Sequence, residues 1–320
     1  MVNKKIVCLG GGIGTVNLIR GLKEYFSDIT VIVSMADDGG STGRLRRLYN
    51  ILPPGDLISC MAAVLGSETM SEFLTYRFPG ERYGKDEELI GHRIGNLIMV
   101  AMRDVTGSFE KAVSLFQKVF QIPGKFYPVT LTPVSISAKT IEGKHIHREE
   151  NIDRGRYVGK KNIEMVFLHP KNAKPAPGVI RALKEADCII AGPGDLYTTV
   201  LPTLIVKEVS NVIQNINTEK FLIVNVANKP TETKGYGLLD YVEAVKRHLN
   251  IFPFNRVLVN NNFSIPIPNK YKKSYSYVKF GEDDTSVYKN VSFIKDDLID
   301  EKFPLYHNSK KLAKIILKSI

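Results

Sequence analysis

Short unbroken apolar runs recur along the chain, each ending in small or polar residues. Ile6-Val-Cys-Leu9 leads into Gly10-Gly-Gly-Ile-Gly14, and Ile29-Thr-Val-Ile-Val33 leads into Asp37-Asp-Gly-Gly40. Asp187-Cys-Ile-Ile-Ala191, Phe221-Leu-Ile-Val-Asn-Val-Ala227 and Arg256-Val-Leu-Val259 end the same way, in glycine-rich or asparagine-rich loops. Runs of this length, apolar throughout, are strands covered on both faces. Helical periodicity fills the spaces between them: Thr15 to Phe26, about 57 to 121, Pro175 to Ala186, Leu204 to Asn215 and Tyr236 to Leu249. Strands alternating with helices predict an α/β fold, a Rossmann-like, doubly wound and mostly parallel sheet. The long helical stretch at 57–121 reads as an insertion, and Lys125 to Thr140 with Ile163 to Leu168 as a small β segment. No internal repeat or linker divides the chain, so 1–320 is expected to be one domain. Residues 263–320 form a C-terminal extension whose last helix, Asn308 to Ile320, spaces Leu312, Ile315 and Ile316 for packing on the core.

In doubly wound folds ligands bind beyond the carboxyl ends of the strands. Four loops are thereby brought together: Gly10–Gly14, Asp37–Arg46, Gly192–Thr199 and Asn228–Thr233. The second is the densest in chemistry. Ala36 to Arg46 holds two adjacent carboxylates, three glycines, two hydroxyls and two guanidiniums. A strand that turns through glycines into a helix aims amides and a positive dipole end at one point, where phosphate can sit. Ser41 and Thr42 can cap that helix or bond phosphate oxygens, Arg44 and Arg46 can neutralise charge, and Asp37 and Asp38 are candidates for Mg²⁺ or ribose hydroxyls. The first loop departs from the dinucleotide fingerprint. Counted from Gly10 its third glycine falls on Thr15, and counted from Gly12 on Asn17. NAD(P) therefore ranks behind other nucleotides, and no Walker lysine follows either glycine cluster. Asp56, after the rigid Leu52-Pro-Pro-Gly turn, and Asn96, before an apolar helix, read as caps. His92 reads as a bond to a neighbouring backbone group, with an acid/base role as the alternative. His145 and His147 share one strand face, and no third ligand turns them into a metal site.

The formal charge is +11 and the pI about 9.3. A scattered basic face explains this better than a nucleic-acid surface, since no recognition helix or RNA-reading aromatic motif is present. The three cysteines, Cys8, Cys60 and Cys188, lack metal or redox spacing and read as buried hydrophobes of a reducing compartment. The first ten residues carry no signal-peptide core, and no apolar run approaches the roughly 18 residues of a membrane span. A cytoplasmic protein is expected, and a homodimer is compatible with the sequence.

Taken in order, Gly10-Gly-Gly-Ile-Gly14, Ala36-Asp-Asp-Gly-Gly-Ser-Thr-Gly-Arg-Leu-Arg46, Leu52-Pro-Pro-Gly-Asp56, Gly91-His-Arg-Ile-Gly-Asn96, Gly192-Pro-Gly-Asp-Leu-Tyr-Thr198 and Glu232-Thr233 resemble the gluconeogenesis factor family (YvcK-type proteins). More distantly they resemble the phospholactate transferases of deazaflavin biosynthesis (CofD). The resemblance implies a nucleotide ligand, a UDP-sugar such as UDP-N-acetylglucosamine, in a regulator of carbon flux, cell-wall synthesis and cell shape. For the transferase branch it implies Mg²⁺-assisted transfer of a phospholactyl group from a nucleoside diphosphate to a deazaflavin. The ligand-binding residues so implied are Gly10, Gly11, Gly12 and Gly14; Asp37, Asp38, Gly39, Gly40, Ser41, Thr42, Gly43 and Arg44; Asp56 and Asn96; Gly192, Pro193, Gly194, Asp195, Tyr197 and Thr198; and Asn228. Asp37, Asp38 and His92 are the candidates for chemistry. The chain departs from the family where Arg-Asn is usual and Ile58-Ser59 stands, where a hydroxyl is usual and Arg93 stands, and where an arginine precedes the late histidine and Tyr306 stands.

Overall fold

Ile6, Val7, Cys8 and Leu9 are buried because β1 (Val2–Gly10) lies inside a seven-stranded parallel sheet. In the computed structural model, which describes residues 1–80, 89–157, 163–281 and 288–320, the chain leaves β1 through α1 (Gly12–Leu22) into β2 (Phe26–Val33). Five helices follow: α2 (Gly40–Tyr49), α3 (Gly55–Val64), α4 (Glu68–Thr75), α5 (Ile94–Thr106) and α6 (Phe109–Val119). They lead to β3 (Lys125–Pro128) on the sheet's edge. A three-stranded antiparallel sheet comes next, from β4 (Ser135–Thr140), β5 (His145–His147) and β6 (Ile163–His169), with α7 (Glu149–Asp153) between the last two. After α8 (Val179–Lys184) the chain returns to the large sheet as β7 (Cys188–Ala191), on the other side of β1. A π-helical turn, Leu196–Val200, with α9 (Leu201–Leu204) and α10 (Lys207–Asn215) leads to β8 (Glu219–Ile223), and α11 (Leu238–Leu249) to β9 (Arg256–Asn260). Then come β10 (Ser292–Asp296) and α12 (Ser309–Ser319).

The strand order is β10-β9-β8-β7-β1-β2-β3. The winding reverses between β1 and β7, so the loops leaving those neighbours diverge and open a crevice at their carboxyl ends. The α/β, doubly wound class read from the sequence is the one observed.

Several boundaries differ from the sequence reading. The first helix stops at Leu22, because Phe26 is buried and pairs with Val2 in the sheet. The helix after the Asp37 turn begins at Gly40 and not Arg44, so Ser41, Thr42 and Gly43 form its first turn. Pro175 lies outside α8, held in a bridge to Thr130 while the Ala176 amide bonds Val129. The helix read over Leu204 to Asn215 is two helices, because Val206 is extended. β10 escaped notice as an edge strand that is half exposed on both faces. At the end of the chain Asn308 caps α12, accepting from the Lys310 and Lys311 amides, and Leu312 and Ile316 are fully buried. Gly21 of α1 admits α12 so closely that a Cβ there would lie 2.0 Å from the Ser309 carbonyl oxygen. Cys8, Cys60 and Cys188 are buried free thiols. Among the described residues no helix is long and apolar enough to cross a membrane.

Candidate functional site

The crevice between β1 and β7 holds a cleft of about 200 Å³. One wall is Gly11, Gly12, Ile13 and Gly14; the facing wall is Pro193, Gly194 and Asp195. The two loops nearly touch. A Cβ on Gly14 would lie 2.4 Å from the Pro193 carbonyl oxygen, so only glycine permits the approach. Gly12 takes φ +64 and has nothing within 4 Å of its missing Cβ, which leaves its backbone open to the cleft. No side chain caps α1, whose first turn starts here. Asn225 fixes the far loop by two bonds, its Nδ2 donating to the Gly194 carbonyl (2.9 Å) and its Oδ1 accepting from the Gly194 amide (3.1 Å).

Charge and aromatic surface occupy the rest of the cleft. Lys229 lines it with an ammonium held by three carboxylates: Asp195 at 2.7 Å, Glu232 at 3.0 Å, and Asp153 from α7. Burial alone would lower the lysine's pKa, but Asp195, Glu232 and Asp153 raise it well above the ordinary value, so it stays charged. Glu232 is buried and also accepts from the Tyr197 amide (2.8 Å) and the Thr198 hydroxyl (2.7 Å). Tyr275, Leu305, Tyr306 and His307 also line the cleft, Tyr275 and Tyr306 near enough to Lys229 and Asp195 to feel their charges. His307 is buried, with Nε2 against the Val224 carbonyl at 3.1 Å, and burial pushes its pKa down to about 4, so it is neutral.

A smaller cavity of about 80 Å³ adjoins the cleft across Gly12 and Ile13, which line both. Its wall carries the carboxylates of Asp37 and Asp56, the hydroxyls of Ser41, Thr42 and Ser59, the guanidiniums of Arg77 and Arg93, and Asn96. Asp56 does not cap its helix. It sits in the first turn of α3, with Oδ2 2.6 Å from where a Cβ on Gly11 would stand. Asn96 is not a cap either, since Arg93 holds that position and Asn96 lies inside α5. Its Oδ1 is buried with no hydrogen-bond partner among the described residues, and Asn96 lines the cavity together with the two carboxylates. Ile58 is fully buried, its Cγ2 2.6 Å from where a Cβ on Gly95 would stand, and Arg93 brings a guanidinium to Ser59 instead.

Other residues singled out from the sequence lie behind these walls. Asp38 turns away from the cavity, accepting from Arg148 Nε (3.1 Å) and the Glu150 amide (2.9 Å). Arg44 is buried and donates to the Ile90 carbonyl, and Arg46 donates to the Asp37 and Val134 carbonyls. His92 is buried with Nδ1 2.8 Å from Ser41 Oγ, a side-chain bond in place of the expected backbone one. Tyr197 meets the Tyr236 hydroxyl at 2.9 Å, and Asn228 donates to the Tyr236 carbonyl. Gly39 donates to Asp37 Oδ1 at 3.0 Å, closing a turn over its own backbone. Gly40 opens α2 at φ +48, and Gly43 packs so closely that a Cβ would meet the Asp38 carbonyl at 1.9 Å. The β5 histidines are exposed, with Ile146 buried between them. The sequence reading missed Lys229, Arg77, Asn225 and Tyr275. Lys229 had a signal, since it lies in the Asn228–Thr233 loop already assigned to the cleft.

Glu149, at the start of α7, stands behind the Asp37 turn. Its Oε2 lies 3.4 Å from where a Cβ on Gly39 would be. Burial, with the charges of Asp37 and Asp153 added, holds its carboxyl well above the usual range.

A family model described as 2-phospho-L-lactate transferase CofD matches residues 6–299. The chain belongs to this family, on its gluconeogenesis-factor side. It is 35% identical over 318 residues to the gluconeogenesis factor of Bacillus subtilis (strain 168), covering 98% of this chain and 97% of that one. It is 34% identical over 320 residues to the gluconeogenesis factor of Halalkalibacterium halodurans, covering 99% and 97%. A crystal structure of a member of the UPF0052 family from Bacillus halodurans superposes with a TM-score of 0.89 at 33% identity, covering 99% of this chain and all of that one.

Proposed function

We propose that this chain binds a nucleotide sugar of the UDP-N-acetylglucosamine type in the switch-point cleft, and that through this occupancy it acts as a cytoplasmic regulator of carbon flux, cell-wall synthesis and cell shape. The observation that carries the reading is the approach of Gly14 to Pro193. It leaves a crevice lined by backbone, at an uncapped helix start, in the size and polarity that suit a diphosphate. Lys229, its charge balanced by Asp153, Asp195 and Glu232, fixes the wall beside it. Tyr275 and Tyr306, on the same wall, offer aromatic faces for a base. The test is calorimetry with UDP-N-acetylglucosamine. Saturable heat and a ligand-dependent rise in melting temperature are expected; neither at millimolar ligand overturns the reading.

A second reading, Mg²⁺-dependent transfer of a phospholactyl group to a deazaflavin, is favoured by the small cavity. Asp37, Asp56 and the orphaned Oδ1 of Asn96 are hard oxygen donors that fit a magnesium ion. Bound there, the ion would neutralise diphosphate charge as a Lewis acid. Asp37 and Asp56 would hold the ion, and Arg77 and Arg93 would bind the ligand's phosphate oxygens. Incubation with a deazaflavin acceptor, a nucleotide donor and Mg²⁺, read by mass spectrometry, separates the two readings: repeated product formation supports transfer, and unchanged donor supports binding alone.

A further inference from the structure

We propose, on the reading that the cleft takes a nucleotide sugar, that His307 sets the choice of base. Its Nδ1 accepts the N3–H of uracil and so selects uridine over cytidine nucleotides. The segment that carries His307 is fixed before any ligand arrives. The Asp300 amide donates to the Tyr306 carbonyl at 3.0 Å, and the Asn308 amide to the Leu298 carbonyl at 2.8 Å. The backbone is thus pinned on both sides of His307, and the Asn308 side chain goes on to cap α12.

The ring's tautomer follows from its partner. Nε2 lies 3.1 Å from the carbonyl of Val224, a fully buried residue just beyond β8. A carbonyl can only accept, so Nε2 carries the proton and Nδ1 keeps a lone pair. The two nitrogens of an imidazole point in widely different directions, so a ring whose Nε2 meets the core turns Nδ1 away from it. His307 lines the cleft at 4% exposure, and its Nδ1 has no hydrogen-bond partner among the described residues. Burial keeps the imidazole neutral, so Nδ1 remains an acceptor near pH 7.

An acceptor that cannot become a donor tells two pyrimidines apart. Uracil presents a hydrogen on N3, and cytosine, of the same size and shape, presents a lone pair there. Two acceptors set against each other away from water lose their hydration and gain no bond. Tyr306, the preceding residue, and Tyr275 line the same cleft with faces on which a base can stack. The other polar groups of the wall are less selective. Asn225 spends both ends of its amide on Gly194, and Lys229 and Asp195 hold each other. Asn17, with a donor and an acceptor on one amide, can turn to suit either base.

The test is calorimetry on the full chain with UDP-N-acetylglucosamine, its N3-methyl derivative and its cytidine counterpart. The uridine ligand is expected to bind at least about tenfold tighter than either of the others. His307→Gln can keep a donor towards Val224 but has no acceptor where Nδ1 stood. In that variant the uridine and cytidine ligands should come within about twofold of each other. Equal affinity of the natural chain for the two, an N3-methyl derivative that binds as tightly as its parent, or a preference unchanged in His307→Gln would each overturn the proposal and leave the nucleotide-sugar reading standing. No binding of any of the three ligands overturns both. The N3-methyl comparison needs only the natural chain, so it decides the matter even where the variant fails to fold.

Discussion

Asp37 and Asp38 are adjacent in the chain, yet their carboxylates serve opposite faces of one turn. Asp37 lines the cavity beside the cleft, while Asp38 is bound by Arg148 Nε at 3.1 Å and by the Glu150 amide at 2.9 Å. Their substitutions should therefore separate. Asp38→Asn is expected to cost about 1–3 kcal/mol of stability, as a charge-assisted bond is lost, with nucleotide affinity little changed. Asp37→Asn should leave the melting temperature nearly unchanged and remove any effect of Mg²⁺ on nucleotide binding. Chemical denaturation and calorimetry on both variants check the split.

Gly14→Ala forces a methyl to within 2.4 Å of the Pro193 oxygen. Overpacking of that kind costs about 1–3 kcal/mol, and here it also wedges the cleft walls apart. Nucleotide binding should vanish in a variant that still folds. Gly12→Ala meets no atom, but its φ of +64 disfavours a side chain. It should cost about 1 kcal/mol and retain binding.

Lys229→Met would leave Asp153, Asp195 and Glu232 facing one another without a counter-charge. Asp153 and Asp195 are partly exposed and only Glu232 is fully buried, so the loss should be about 1–3 kcal/mol. Adding Glu232→Gln should recover part of that loss, which a thermal melt of the double variant would reveal.

Tyr306→Ala should weaken UDP-N-acetylglucosamine by about tenfold, within the roughly 1–3 kcal/mol that an aromatic face gives a stacked base. Tyr306→Phe should be near neutral. Equal loss in both variants would mean that the hydroxyl, and not the ring, makes the contact.

Burial pushes His248 and His307 down to about 4. In the unfolded chain a histidine takes its proton near pH 6.5. Between those values the unfolded state binds more protons, so the stability these groups contribute is present above about 6.5 and is lost as pH falls towards 4. Acidification from about pH 7 to 5 should lower the melting temperature, and His307→Gln should flatten that drop. An unchanged slope would assign it to His248 in α11.

The sheet was legible because its strands are covered on both faces and so read as uninterrupted apolar runs, as in Ile6 to Leu9 and Cys188 to Ala191. β10 was not, since an exposed edge needs no such run. Glycine clusters announced the cleft, for close backbone approach leaves that mark whatever the ligand. Direction was the hidden part. Nothing in Asp37-Asp38 says which carboxylate turns towards Arg148, a residue more than a hundred positions later. Asp56 and Asn96 carry the residue types of caps, and only the helix starts at Gly55 and Ile94 reveal that their side chains point elsewhere. Lys229 escaped because its three partners come from separate elements.

The Lys229 cluster has one more consequence. A single ammonium stitches together α7, the loop leaving β7 and the loop leaving β8. Walls set in advance spare a visiting molecule the entropic toll of ordering them. On the proposed reading, recognition would resemble a key entering a finished lock. That behaviour suits a gauge whose reading must follow the concentration of a metabolite from moment to moment.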